Sequence, residues 1–175
     1  MAFLFCRIVL ERSLFLARVF FLNVLIAFAC AQADDHFDLS NVRAAGTLVI
    51  DCRDGKPAML GVMQYQQGHL VFSPPGGWIN AGEHPAQGAV RETREETGYT
   101  VIAEKILGHP PMMFNLYVLV LASVDKSKRV SSNIHEVVDI KWAHPADIPI
   151  EDWRFPNQKQ WIIDLFTTHA PKDCE

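Results

Sequence analysis

Two hydrophobic periods alternate along the chain behind one continuous apolar stretch. Residues 46–52, Gly46-Thr47-Leu48-Val49-Ile50-Asp51-Cys52, are rich in β-branched side chains and run into the turn signal Arg53-Asp54-Gly55. A strand is therefore expected there, folding back as a hairpin onto a second strand over 58–63. A third strand is expected over 69–72; it ends at Pro74-Pro75-Gly76-Gly77, where no strand continues, and 78–83 reads as a loop. Pro85 stands where a helix can begin and Gly98 where one can end. Further strands are predicted over 100–102, 116–124 and 137–142, and a last helix over 157–166 with Trp161, Ile162, Leu165 and Phe166 facing the core. Strands, helix, strands, helix is the order of an α/β fold with a mixed β-sheet between helices.

The helix between Pro85 and Gly98 is two-faced. At about 100° per residue, Ala89, Val90, Thr93 and Thr97 lie within roughly 60° of Ala86, while Glu92, Glu95 and Glu96 gather between roughly 180° and 280°. The first face packs. The second brings three carboxylates within little more than a turn, and like charges at i,i+3 and i,i+4 destabilise an isolated helix by a few tenths of a kcal/mol each. A divalent cation reverses that sign, and hard oxygen donors at this spacing suit Mg²⁺, which fills its remaining positions with water and phosphate oxygens; taken alone, a Glu-rich helix face is more often simply solvated.

Composition divides the chain in two. Residues 1–31 contain 25 apolar residues and six of the 11 Phe, with Arg7, Arg12 and Arg18 against Glu11. The formal net charge of the whole chain is −4, so the remaining 144 residues stand at −6. An acidic body without a Lys/Arg tract is not built to grip a nucleic-acid backbone. The front pattern, arginines before an apolar run from Val19 to Ala29 and then Ala29-Cys30-Ala31 and Ala31-Gln32-Ala33, is that of a secretory signal peptide cleaved after Ala31 or Ala33. An exported, periplasmic or secreted body over 32–175 is expected. The competing readings are a retained membrane anchor over 14–33, poor because of Arg18 and Asn23, and a cytoplasmic protein with a spurious upstream start. Contact with a membrane is expected only if this segment is retained. Of four Cys, Cys52 and Cys174 fall in the body, either as one bridge or as two free thiols. No Cys/His spacing suggests zinc.

The acidic face belongs to a longer pattern. Gly77, five residues, Glu83, seven residues, then Arg91-Glu92-Thr93-Arg94-Glu95-Glu96-Thr97-Gly98-Tyr99 resembles the Nudix box, Gly-x5-Glu-x7-Arg-Glu-U-x-Glu-Glu-x-Gly-U with U apolar. All seven fixed positions match, and at about 7% per position a chance match in this chain is on the order of one in a million. Thr93 and Tyr99 in the apolar slots are the departures. Pro75-Gly76-Gly77-Trp78 resembles the usual lead-in, and Glu136, six residues before Trp142, resembles a later acidic residue that many members bring to the metals. The likeness covers about 43–166.

This resemblance implies a Nudix α/β/α sandwich that hydrolyses a phosphoanhydride in nucleoside diphosphate derivatives or nucleoside tri- and diphosphates, with Mg²⁺ or Mn²⁺, as a monomer or homodimer. By the same resemblance Glu92, Glu95, Glu96 and the carbonyl of Gly77 or Gly76 are expected to hold metal, with Glu83 outside that shell. Arg91 is expected to pair with Glu83 or Glu92 and hold loop to helix, and Glu92, Glu95 or Glu136 to serve as general base. Trp78, Phe114 and Tyr117 are candidates to stack on a base, and Arg129, with Lys126 and Lys128, to receive phosphate oxygens; each has a plainer reading as packing or a solvated hairpin tip. Arg154 beside Trp153 is a further candidate clamp. The alternative from another class is a nucleotide-sensing module on the same fold, which does not need the full set of carboxylates. Isomerase chemistry would want a cysteine near the site, and Cys52 lies at a strand end instead.

Overall fold

The structure is a computed structural model that describes residues 37–113, 115–129 and 137–174, with the backbone alone over 126–129. Its strands are β1 (Ala44–Arg53), β2 (Lys56–Gln66), β3 (His69–Ser73), β4 (Gly76–Trp78), β5 (Tyr99–Gly108), β6 (Tyr117–Arg129) and β7 (Asp139–Ala143); its helices are α1 (Pro85–Thr97) and α2 (Lys159–His169). The sheet runs β3-β2-β1-β6-β5, with β4 joining β1 and β7 joining β2.

Strand β1 is the hub. From Ala44 to Val49 it pairs in parallel with Tyr117 to Ala122 of β6, while on its other edge Ala44 to Gly46 pair with β4 and Ile50 to Arg53 with β2, both antiparallel. The pairing of β4 corrects the expectation that the strand signal stops at Pro74. Prolines do end β3 at Ser73, but Gly76 then returns to the sheet so closely that an added Cβ would lie 2.5 Å from Gly46 Cα and 2.6 Å from the Ala45 carbonyl oxygen. A side chain at 76 has no room there, and one at 46 would meet the Pro75 carbonyl oxygen at 2.7 Å and the Tyr117 ring. The Thr47 N–H donates to the Pro75 carbonyl at 3.0 Å and closes the join.

Period-two alternation sends neighbouring residues to opposite faces. Ala45 and Val49 of β1, with Val118, Val120 and Ala122 of β6, pack with Ala89 and Val90 of α1; Leu48 and Leu119 pack with Ile162 and Phe166 of α2. The two helices thus cover opposite faces of a mixed sheet. On α2, Ile162 and Phe166 are buried as predicted, whereas Trp161 and Leu165 are half-buried against the same cluster.

Helix α1 begins and ends where the sequence places it. His84 caps it, its ring nitrogen accepting from Ala86 N while Gln87 accepts from His84 N, Pro85 occupies the first turn, and Gly98 closes it at φ 72°. Thr93, in a slot the motif reserves for an apolar side chain, is fully buried because it is satisfied: its hydroxyl donates to the Ala89 carbonyl at 2.7 Å and accepts from Thr47 at 2.7 Å. The helix is hydrogen-bonded, as well as packed, to the middle of β1. Cys52 at the end of β1 is disulfide-bonded to Cys174, with Cα atoms 5.4 Å apart, which resolves the pairing left open by the sequence.

Candidate active site

One guanidinium organises the acidic face. Arg91 Nε donates to Glu83 Oε1 at 3.0 Å and Nη2 to Glu83 Oε2 at 3.0 Å, a bidentate fork, while Nη2 also reaches the Trp78 carbonyl at 2.8 Å. Nη1 donates to both Glu92 Oε1 at 2.7 Å and Glu95 Oε2 at 3.0 Å. The expected pairing with Glu83 or Glu92 is thus both at once, extended to Glu95 one helical turn on. A planar, permanently charged fork is the side chain that can bridge loop and helix in this way. Glu83 also accepts from Asn80 N at 2.9 Å, so the loop turns around its carboxylate. Arg91, and then the Asn80 N–H, hold the Glu83 carboxyl below the usual carboxylate range; Glu83 and Glu92 in turn push the Arg91 pKa further up.

Glu92 and Glu95 therefore converge on a single point, now held by Arg91 Nη1. Glu96 turns the other way and accepts from Gly76 N at 2.8 Å, tying the carboxyl end of α1 to β4. Gly77 lies directly over Glu92: a Cβ there would meet its carboxyl group at 2.6 Å. Among the described residues no three acidic, His or Cys side chains are gathered as a ready metal site. The donor chemistry nonetheless fits a hard divalent cation. Carboxylate oxygens of Glu92, Glu95 and Glu96 share one helix face beside a glycine backbone, and Arg91 marks where positive charge is drawn.

Beside this face opens a cavity of about 410 Å³, bounded by Gly76, Gly77 and Trp78 on the box side and by Arg154, Phe155, Gln158, Trp161 and Ile162 on the α2 side. Tyr117 and Arg43 line it between them. Trp78, 76% exposed, stands at the mouth, and Tyr117 lies inward with its ring against Gly46. Burial raises the Tyr117 pKa, with Glu96 raising it further and Arg154 opposing, so cavity and carboxylates share one electrostatic environment. Its lining is mostly apolar and aromatic, with Arg43 and Arg154 among the lining residues and, among the described residues, no Asp or Glu; the Arg43 guanidinium itself donates to the Ser40 and Val42 carbonyls. A flat, electron-rich ring attached to an anionic group suits such walls.

Arg91, Glu92, Glu95, Glu96, Glu83 and Gly77 are thus brought together, and Trp78, Tyr117 and Arg154 meet at the adjoining cavity. Phe114 and Glu136 lie outside the described residues, as does the side chain of Arg129. Gln158 was not singled out from the sequence. A lone Gln at a helix start carries no spacing signal, and only the fold turns it to the cavity.

The NUDIX domain family profile matches residues 41–165. The chain belongs to the Nudix family. Among its relatives, an uncharacterised Nudix hydrolase of Schizosaccharomyces pombe is 32% identical over 106 residues, covering 57% of this chain and 52% of that protein. A proposed 8-oxo-dGTP diphosphatase of Bacillus subtilis is 30% identical over 97 residues, covering 54% and 63%. The chain thus spans between about half and two thirds of these Nudix relatives. An ADP-ribose pyrophosphatase of Streptococcus suis is similar in fold, with a TM-score of 0.55 at 17% identity over 77% of this chain and 97% of that one.

Proposed function

We propose that this Nudix domain is a pyrophosphohydrolase that cleaves a phosphoanhydride bond in a nucleoside diphosphate derivative or a nucleoside tri- or diphosphate. The observation that carries the reading is the convergence of Glu92 and Glu95 on one point beneath Gly77, at the edge of an aromatic cavity lined also by Arg154. Glu92, Glu95, Glu96 and the Gly77 carbonyl would hold Mg²⁺ or Mn²⁺. Such an ion neutralises phosphate charge and acidifies water.

The residues of the chain supply the rest. Trp78 and Tyr117 hold the base side of the substrate, Arg154 attracts its phosphates, and Arg91 with Glu83 fixes the loop so that Gly77 stays over Glu92. Water attacks phosphorus, the anhydride P–O bond breaks with its electron pair leaving on the departing phosphate oxygen, and the water's proton passes to a carboxylate, for which Glu92, Glu95 and Glu136 are the candidates. Export of the body fits the cationic, apolar and small-residue order of the front segment, and the Cys52–Cys174 bridge supports it, since disulfides persist in oxidising compartments. Outside the cytoplasm, scavenging of nucleotides or removal of an extracellular signal is the natural role.

The test is release of phosphate or nucleoside monophosphate from nucleoside tri- and diphosphates, ADP-ribose, NADH and dinucleoside polyphosphates with Mg²⁺. Turnover of at least one member, falling at least about 100-fold in Glu96→Gln, is expected, since a metal-holding group contributes several kcal/mol to the transition state. Turnover equal in Glu96→Gln would refute the assignment of the box, and no turnover at all would leave a nucleotide-sensing module.

A further inference from the structure

The face of β1 that meets α1 is apolar on either side of its middle, where Ala45 packs with Ala89 of the helix and Val49 with Val90. Between them stands Thr47, with no exposed surface, and opposite it Thr93, equally buried. Their hydroxyls lie 2.7 Å apart. The Thr93 hydrogen goes to the Ala89 carbonyl at 2.7 Å, so in the pair Thr47 donates and Thr93 accepts. Two valines would fill nearly the same volume with no polar group to desolvate, so packing alone does not call for these hydroxyls.

Thr47 also holds the other half of the candidate site. Its backbone N–H donates to the Pro75 carbonyl at 3.0 Å, immediately before Gly76 and Gly77 of β4. Those glycines meet the carboxylates of the helix: Glu96 accepts from Gly76 N at 2.8 Å, and a Cβ on Gly77 would meet the Glu92 carboxyl group at 2.6 Å. The backbone of one residue thus fixes β4, and its side chain fixes α1. Apolar side chains tolerate sliding and repacking, whereas a hydroxyl pair in a dry interface has one good geometry. The tolerance is small: turning α1 by about 10° about its axis moves a carboxylate lying roughly 6 Å out by about 1 Å, enough to cost about 100-fold where alignment matters.

We propose that the Thr47–Thr93 hydroxyl pair positions the site: it sets the rotation of α1 against β1, and through it the placement of Glu92, Glu95 and Glu96 against β4. This rests on reading those carboxylates as the metal-holding group, and it gives a task to Thr93, which stands where the box pattern has an apolar side chain.

The experiment compares the protein with Thr47→Val, Thr47→Ser, Thr93→Val and the Thr47→Val/Thr93→Val double variant. Two properties are read on each: protection of the Gly76 amide from hydrogen exchange by NMR, which reports its bond to Glu96, and affinity for Mn²⁺ without nucleotide, by electron paramagnetic resonance. Melting temperature is the control. Thr93→Val strands the Thr47 hydroxyl without its acceptor and melts below wild type, while the double variant strands nothing and melts at or above it. Gly76 protection and Mn²⁺ affinity nevertheless fall about tenfold in every variant that lacks the pair, the usual effect of losing a group that orients metal ligands. Both stay within about twofold of wild type in Thr47→Ser, which keeps the hydroxyl although the lost methyl lowers its melting temperature. Either property following melting temperature, or unchanged in the double variant, overturns the proposal. Losses in Thr47→Ser equal to those in Thr47→Val do the same. Mn²⁺ affinity that Glu96→Gln also leaves unchanged sinks the metal reading instead, and Gly76 exchange alone then decides the pair.

Discussion

Reducing the Cys52–Cys174 bridge, or replacing both residues by Ser, should lower stability by an amount set by the loop it closes. The two residues are 122 positions apart, so the bridge spans nearly the whole folded body. Loop-closure entropy for that span gives about 5 kcal/mol at 25 °C, and measured bridges usually give less, so about 3–5 kcal/mol is expected. With a urea dependence of about 2 kcal/mol per M for a domain of this size, the unfolding midpoint should fall by roughly 1.5–2.5 M. The measurement is urea unfolding of the oxidised protein, the same protein in excess reductant, and the Cys52→Ser/Cys174→Ser double variant. Reductant and double substitution should agree, and reductant should not affect the double variant. Alkylation of Cys52 and Cys174, located by peptide mapping, in protein purified without reductant, or midpoints within about 0.3 M of each other, would refute the bridge as a stabilising element; the second outcome would also mean that unfolded-chain entropy is the wrong currency for this fold.

Gly77→Ala should lower kcat about 10- to 100-fold while the melting temperature moves by only a few degrees, because its Cβ would meet the Glu92 carboxyl group at 2.6 Å in a partly exposed site; kcat and a thermal melt on one preparation check both halves. Arg91→Ala should destabilise the domain by about 2–4 kcal/mol, discounted for a side chain in partial contact with solvent, since it removes the links to Glu83, Glu92, Glu95 and Trp78. Because Arg91 lowers the folded pKa of Glu83, the stabilisation is complete above the ordinary carboxylate pKa and is lost as pH falls through the lowered value. The gap between wild type and variant should therefore be constant from neutral pH to about pH 5 and narrow below about pH 4 in urea titrations. N-terminal sequencing of protein recovered from outside the cytoplasm should begin at Gln32 or Asp34, whereas intact Met1 or Ala2 in a soluble cytoplasmic fraction would refute export.

What the sequence made legible are features written locally. Pro85 and Gly98 mark the two ends of α1, and the angular separation of Ala89, Thr93 and Thr97 from Glu92 and Glu95 matches the buried and polar faces observed. The β1–β2 hairpin follows from Asp54-Gly55. Features set by distant contacts were not legible. β4 exists because Gly46 and Gly76, 30 positions apart, are both without side chains where they meet, and either glycine alone reads as a turn. β5 extends to Gly108 rather than stopping at Ile102, because register shifts against β6 break the alternation a strand signal depends on. In the site, the spacing marks Glu83, Arg91, Glu92, Glu95 and Glu96 but not that one guanidinium reaches three of those carboxylates and the Trp78 carbonyl. Gln158 became visible only when the fold set a buried amide against the cavity.

The glycine contact between β1 and β4 also divides the labour of the cavity walls. One wall is backbone laid on backbone: Gly76 against Gly46, Thr47 N–H on Pro75, Gly76 N–H on Glu96. Its glycines have no side chains to exchange, and a side chain at 76 or 77 would press on β1 or on the Glu92 carboxyl group. The facing wall, with Arg154, Phe155, Gln158 and Trp161, is built from residues with long side chains and comes from a separate stretch of chain. A laboratory effort to retarget this protein should therefore randomise 154, 155, 158 and 161 and leave 46, 76 and 77 fixed, keeping the chemistry as a constant while the recognised group varies.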